Sequence, residues 1–257
     1  NFFAQAERKR AVRLLSSCSL YVPGRGVVGR VRLTPLREVA SSVGPDRRQV
    51  HSAFSVSDAS APYRALWGHD SGRVRTILQE PNAGLVPKPG RAGEAKRLWA
   101  SAGRLMVAER QDLGARRLFA VWLEEPALSN VWWPVSVGEE EGRILALWLN
   151  STPGILLLLS RAVVTRGPWV EFKKADLLEV PVLDVGRLSD GEREGLSDLF
   201  DETCRREFKP LPEEFSDPEA RRELDEGILS ILGIRGDISP LYSLLARDPM
   251  ITWGALA

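Results

Sequence analysis

The sequence predicts an α+β fold: an antiparallel strand meander packed with helices, a helical hairpin, and a helical C-terminal part. Three observations predict it. The stretches "RLMVAER" (104–110), "RLFAVWLEE" (117–125) and "LSNVWWPV" (128–135) are short, apolar and aromatic, with turn residues between them. The stretch "LALWLNSTPGILLLL" (145–159) breaks two apolar helical runs with Asn150-Ser151-Thr152, followed by Pro153 and Gly154. From about 188 the chain turns acidic and carries repeated helix-start signals. These features divide it into 1–186 and an acidic helical subdomain, 187–257.

In chain order, Phe3, Ala6, Ala11, Leu14 and Leu15 lie on or near one face, which predicts a helix over 3–17. "VVGRVRL" (27–33) alternates like a strand. In "TPLREVASSVG" (34–44), Thr34 fits an N-cap, Pro35 the first helical turn and Gly44 a stop. Gly44-Pro45-Asp46 is a turn, with a short helix or turn after it. "YRALWGHDSG" (63–72) reads as a short strand ending in a turn. Residues 80–93 are rich in Pro and Gly and read as a loop or mobile flap. "EAKRLWASAG" (94–103) is a helix ended by Gly103. Pro134 places the third strand of the meander at an edge or at a strand end. Residues 139–150 and 152–164 form the helical hairpin: Asn150 ends the first helix, Ser151 or Thr152 caps the second, and Pro153 suits its first turn. "PWVEFKKADLLEVPVLD" (168–184) reads as strand, short helix and extended exit. Ser189 and Glu192 make a capping box, and Asp217-Pro218 and Ser239-Pro240 open two further helices.

A chain of 257 residues, 44% hydrophobic and 27% charged, can build one large domain or two small ones. At Asn1 a helix reads as already under way, so a piece of a longer protein, or a processed N-terminus, is expected. No signal-peptide pattern is present, and apolar runs such as 155–159 are far short of a membrane span. Cys18 and Cys204, far apart, read as two free thiols of a cytoplasmic protein. The net charge of +1 hides an asymmetry: residues 1–135 hold 21 Lys+Arg against 11 Asp+Glu, a net +10, and residues 136–257 hold 14 against 23, a net −9. A basic half joined to an acidic half points to a polyanion partner, or to mutual attraction of the halves.

Several kinds of chemistry lack their groups. His51, His69, Cys18 and Cys204 offer no zinc-ligand spacing, and no phosphate-binding P-loop pattern occurs. "GRGVVG" (24–29) has glycine spacing like a nucleotide turn but opens a strand rather than a helix. Glu171-x-Lys173 matches a pair used by some metal nucleases, yet the nearest preceding acids, Glu139, Glu140 and Glu141, are two helices away, and a surface strand is the preferred reading. His69-Asp70 and His51-Ser52 read as structural or solvated rather than as catalytic dyads.

The ordered set Leu149-Asn150-Ser151, Lys173-Lys174, Leu177 and Val180-Pro181-Val182 resembles the target-recognition region of N6-adenine DNA methyltransferases from restriction-modification and phage-defence systems. The resemblance extends upstream to 33–48 and to the strands 104–135, about two thirds of the chain. It implies a module of residues 1–186 that reads double-stranded DNA, working with a methyltransferase catalytic domain or partner subunit. The departure is clear: such enzymes hold the flipped adenine with an Asn/Asp-Pro-Pro-aromatic tetrapeptide, and none occurs in these residues. The resemblance therefore assigns S-adenosylmethionine to a catalytic domain outside this sequence, and no cofactor or catalytic residue to the chain itself. The alternative is a protein assembly module of a defence complex, with no direct DNA reading.

A recognition domain needs cations for phosphates and side chains that reach base edges. The candidates are Arg47, Arg48 and Gln49 after the turn at 44–46; Arg73 and Arg75 after "GHDSG"; Lys88 in the Pro/Gly stretch; Arg110, Arg116 and Arg117 around a hairpin turn; and Arg166, Lys173 and Lys174 around the strand after the helical hairpin. Each is by default a solvated charge. Trp132-Trp133 invite base stacking, but neighbours on a strand face opposite sides, so at least one is expected in the core. The acidic C-terminal helices are expected to pack on the rest of the enzyme or to bind a partner subunit.

Overall fold

The structure, a computed structural model, describes residues 2–58, 60–68 and 72–252. Helix α1 (Phe2–Ser16) is followed by the hairpin β1 (Ser19–Val22) and β2 (Gly26–Arg30), whose loop holds Gly24 and Gly26 at φ +77° and +82°, left-handed backbone that favours glycine. Next come β3 (Leu33–Pro35), a single turn α2 (Leu36–Val39), β4 (Ser42–Val43) and α3 (Arg47–Ala53). Strands β5 (Phe54–Ser57), β6 (Tyr63–Leu66), β7 (Leu78–Gln79) and β8 (Ala83–Pro87) precede α4 (Ala92–Trp99). Strands β9 (Gly103–Ala108), β10 (Arg110–Asp112), β11 (Ala120–Ser129) and β12 (Trp132–Ser136) lead into α5 (Glu139–Asn150) and α6 (Thr152–Leu159). Then follow β13 (Val163–Arg166), β14 (Trp169–Glu171), α7 (Lys174–Leu178) and β15 (Pro181–Leu183). The chain ends in α8 (Asp190–Thr203), α9 (Leu211–Ser216), α10 (Ala220–Ile231), α11 (Ser239–Ala246) and α12 (Pro249–Thr252).

The α+β class holds. The large sheet runs β4-β12-β9-β11-β6-β8-β5, with β7 also on β11. The three strands expected side by side are neighbours, with β9 antiparallel to β11 on one side and to β12 on the other. The sheet is mixed, because β11 runs parallel to β6 and β7. β14 pairs with β10 and β13 in a separate small sheet. Helix α5 covers β11 and β9, and α8 and α10 pack on α5. One hydrophobic core extends from Ala11 to Ile251 and draws residues from both sides of residue 186. A second small core gathers Val50, Ala53, Phe54, Leu85 and Ala95 between α3, α4 and the sheet. Among the described residues no single helix is long and apolar enough to cross a membrane. Helices α5 and α6 reach that length only together, bent by 79° and with most of their residues buried.

Several local expectations are corrected. The helix expected over 34–44 is one turn, because Thr34 and Pro35 belong to β3, in register with Val182 and Pro181 of β15. The Pro/Gly stretch 80–93 contains β8, seated between β6 and β5; Gly84 is needed there, since a Cβ would stand 2.0 Å from the Asp58 carbonyl oxygen. Gly103 opens β9 instead of ending α4, and a Cβ on it would stand 2.7 Å from the Val135 oxygen. The helix from 152 stops at Leu159, and Val163 and Val164 form β13. Asp217 follows α9 and does not cap α10, which begins at Ala220. Trp132 and Trp133 are both buried. His69 and Asp70 lie outside the described residues.

The polar junction between α5 and α6 is buried and densely hydrogen-bonded. Asn150 Oδ1 accepts from the N–H groups of Phe119 (2.8 Å) and Ala120 (3.3 Å), and its Nδ2 donates to the carbonyls of Ala120 (2.7 Å) and Ala146 (2.8 Å). That uses both lone pairs and both hydrogens of the amide. Ser151 Oγ accepts from Gly154 N–H (3.2 Å) and donates to the Trp148 carbonyl (2.6 Å). From the C-terminal helices, Asp225 Oδ1 accepts from Thr152 N–H (2.8 Å), and the Arg221 guanidinium donates to the Asn150 carbonyl and to that of Arg117 (3.0 Å). Arg221 is held between the rings of Phe208 (5.2 Å) and Phe215 (5.3 Å). Burial pushes the Asp225 carboxyl up to about 6.

Replacing Asn150 strands several buried backbone groups at once. Asn150→Ala should cost about 2–4 kcal/mol, read as a lower urea midpoint at unchanged slope. Asn150→Asp should rescue nothing, because an ionised carboxylate cannot donate to the Ala120 and Ala146 carbonyls.

Candidate functional site

A cleft of about 410 Å³ forms where the turn before α3, the β9–β10 junction and the β14–α7 junction meet. Its first wall is set by a capping box at the start of α3. Asp46 Oδ1 accepts from Gln49 N–H (2.9 Å), and Gln49 Oε1 accepts from Asp46 N–H (3.0 Å). The box fixes Arg47 and Arg48 on the first helical turn, both exposed at the cleft. Glu109 and Arg110 supply the second wall. Glu109 sits between two sheets, its N–H donating to the Val131 carbonyl (3.0 Å) and its carbonyl accepting from Phe172 N–H (2.8 Å). The third wall is Glu171, Lys173 and Lys174; Lys174 Nζ donates to the Val43 carbonyl (2.5 Å), tying α7 to the chain just before α3. Trp133 also lines the cleft, its Nε1 donating to the Phe172 carbonyl (2.8 Å).

The electrostatics of the cleft are unusual. Many surface arginines elsewhere are committed to carboxylates, such as Arg104 to Glu139 (2.9 Å) and Arg143 to Asp201 (2.7 Å). Among the described residues, Arg47, Arg48, Arg110 and Lys173 close no ion pair, and Arg110 lies over the Trp169 ring at 5.6 Å. Three carboxylates share the space with them, Asp46, Glu109 and Glu171, of which Asp46 is spent on the cap of α3. Glu109 is pushed up to about 7, first by burial and then by the charge of Glu171, while Arg47 and Arg110 pull the other way. The acid brought near Glu171 is thus Glu109 and not Glu139, Glu140 or Glu141, which form the first turn of α5. Among the described residues no group of three or more His, Cys, Asp or Glu side chains is gathered to hold a metal ion.

The remaining predicted contacts fall elsewhere. Arg116 is 3% exposed with its guanidinium over the Trp132 ring (5.3 Å), a core side chain rather than a surface contact. Arg117 donates to the Phe208 carbonyl (2.6 Å), bracing the C-terminal helices. Lys88 donates to the His51 carbonyl (2.6 Å) in the last turn of α3, where a cation is favoured. Arg73 lines a separate pocket with Trp67 and Arg205, and Arg75 donates to the Gly72 carbonyl (2.7 Å) and pairs with Glu207 (3.6 Å). Arg166 is exposed at the β13–β14 turn. His51 packs edge-on against Trp67, ring centroids 5.1 Å apart. Glu109 and Asn130, which also lines the cleft, carried no sequence signal: both are polar residues at strand ends, and only the sheet register brings them together.

The Glu109 carboxyl titrates near 4.5 when free and near 7 in the fold. The folded state therefore holds the proton more tightly, and this contribution to stability is complete below about 4.5 and lost as the pH rises through about 7. Glu109→Gln should accordingly be more stable than wild type at about pH 8, with the gain fading by about pH 4. Thermal melts of both proteins at the two pH values check this; a difference that does not change with pH contradicts it.

No protein-family model matches this chain, and no curated protein matches it in sequence. Among solved structures, the type IIG restriction endonuclease BpuSI is similar at 14% identity and a TM-score of 0.45, over 78% of this chain and 31% of that one. The chain thus spans about a third of the length of that enzyme.

Proposed function

We propose that this chain is a DNA sequence-recognition module of the adenine-N6 methyltransferase kind, from a restriction-modification or phage-defence system. The observation that carries the reading is the cleft: separate stretches of the chain bring Arg47, Arg48, Arg110 and Lys173 to one surface without committing them to ion pairs. Unpaired cations on a common surface are what phosphate contacts require. Beside the cleft, β14 continues into the ribbon it forms with β13, and every residue of β13 is exposed, including the neighbours Val163 and Val164. β13 is the bare edge strand of the small sheet β10-β14-β13, and antiparallel strands are among the elements that a major groove admits. The resemblance in the order of Leu149-Asn150-Ser151, Lys173-Lys174 and Val180-Pro181-Val182 supports the same reading.

Methyl transfer is assigned to a catalytic domain outside these residues. The stretch 24–29, with its nucleotide-turn spacing, forms the β1–β2 hairpin with no helix after it, which does not fit S-adenosylmethionine.

Fluorescence anisotropy with a random-sequence duplex, at low and moderate salt, tests the reading. About four phosphate contacts imply a loss of roughly a hundredfold in affinity between about 50 and 200 mM salt. Arg47→Ala/Arg48→Ala and Lys173→Ala should each weaken binding and flatten the salt slope, by about 1 per lost contact. Absence of binding even at low salt would put the protein-assembly reading first.

A further inference from the structure

A carboxylate repels the phosphates that a DNA-binding surface meets, yet Glu109 lines the cleft between the basic walls. It is firmly placed. Its backbone N–H and carbonyl are held by Val131 and Phe172, at 3.0 and 2.8 Å, so the root of the side chain cannot drift. Beside it Asn130 also faces the cleft, its Oδ1 fixed by Gly68 N–H at 2.9 Å. Among the described residues the Glu109 carboxyl makes no ion pair and no hydrogen bond, so its acceptor capacity is unspent. The same is true of ion pairs at Glu171, whose charge repels it. Of the groups that duplex DNA presents, phosphates would be repelled by this pair. The exocyclic amines of cytosine (N4) and adenine (N6), displayed in the major groove, are donors that need an acceptor.

We propose that Glu109 is a specificity-determining residue that accepts a hydrogen bond from the exocyclic amine of a cytosine or adenine, while Arg47, Arg48 and Lys173 hold the flanking phosphates. This rests on the DNA-recognition reading of the cleft. The arriving amine supplies the donor that the desolvated carboxyl lacks, which favours its ionised form. The nearly isosteric Glu109→Gln keeps an acceptor but adds a donor, and so changes which base edge is matched.

The test is selection from a pool of duplexes with a randomised segment, followed by affinity measurements on the enriched sequences. Wild type, Glu109→Gln, Glu109→Ala and Lys173→Ala are compared, with a thermal melt of each to confirm folding. Wild type should enrich cytosine or adenine at one position that Glu109→Gln and Glu109→Ala no longer enrich, a change in preference there of roughly tenfold or more. Lys173→Ala should weaken binding to all sequences alike and keep their ranking. If the Glu109 variants enrich the same bases as wild type, the proposal is wrong and the recognition reading stands. Salt-sensitive binding by wild type with no base preference also overturns it, leaving a cleft that binds only the DNA backbone. No binding by any of the proteins sinks both readings.

Discussion

Asn150 spends its entire side-chain amide on the backbone, and the consequences reach the cleft. Its oxygen and nitrogen hold Phe119 and Ala120, the point where β11 begins. The Phe119 carbonyl in turn accepts from Ala108 N–H at 2.9 Å, and Ala108 is the last residue of β9, directly before Glu109. The helical hairpin therefore sets the start of the central strands rather than merely resting on them. Gly154 is needed for the same closeness, because a Cβ there would lie 1.9 Å from the Trp148 carbonyl oxygen. The C-terminal helices complete the junction through Arg221 and Asp225. A buried cation and its carboxylates are costly to desolvate, and they persist where hydrogen bonds satisfy them. Glu214 illustrates this, accepting from Arg221 N–H at 2.9 Å and Lys209 N–H at 2.8 Å.

The charge asymmetry of the sequence has two physical outlets. One is attraction between the halves: Arg25 pairs with Asp237, Arg32 with Glu192, Arg37 with Glu179 and Arg104 with Glu139. Exposed pairs of this kind contribute about 0–1 kcal/mol each, so they orient the acidic helices more than they hold them. Packing does the holding, through α8 and α10 on α5 in the shared core. The other outlet is the group of cations at the cleft that close no ion pair. Mutual attraction thus accounts for part of the asymmetry and leaves the cleft unexplained by it.

What the sequence made legible was local. The capping box at Ser189 and Glu192 and the tight α5–α6 hairpin rest on residues within a turn or two of each other. The position of Arg47 and Arg48 after a turn was legible for the same reason; the use of Gln49 in the capping box at Asp46 was not. Long-range register decides the rest. Proline and glycine at 80–93 looked like a flap, yet the glycine at 84 is there because β5 and its following turn press against β8. Arg116 and Arg117 looked like surface charges on a hairpin, but the chain between β10 and β11 turns inward, and aromatic rings and distant carbonyls receive them. Glu109 stood among basic residues with nothing to distinguish it, because its pKa is raised first by burial between two sheets and then by Glu171, 62 residues away.

Glu109 is also held by its backbone on both sides for a reason of topology. The chain leaves the large sheet at Ala108 and enters the small one at Arg110, so the residue between is bonded on its N–H side by the approach to β12 and on its carbonyl side by the exit from β14. A side chain that discriminates one base edge from another works best from a fixed root, since a root that moves by an ångström lets the group satisfy several edges equally. Phosphate contacts have no such requirement. Arg47, Arg48 and Lys173 are exposed on long, flexible side chains, which suits a contact that is everywhere the same along a duplex. The cleft thus places an unpaired carboxylate, fixed at its root, at the meeting point of two sheets with cations around it, an arrangement that a surface built only to attract a polyanion would not need.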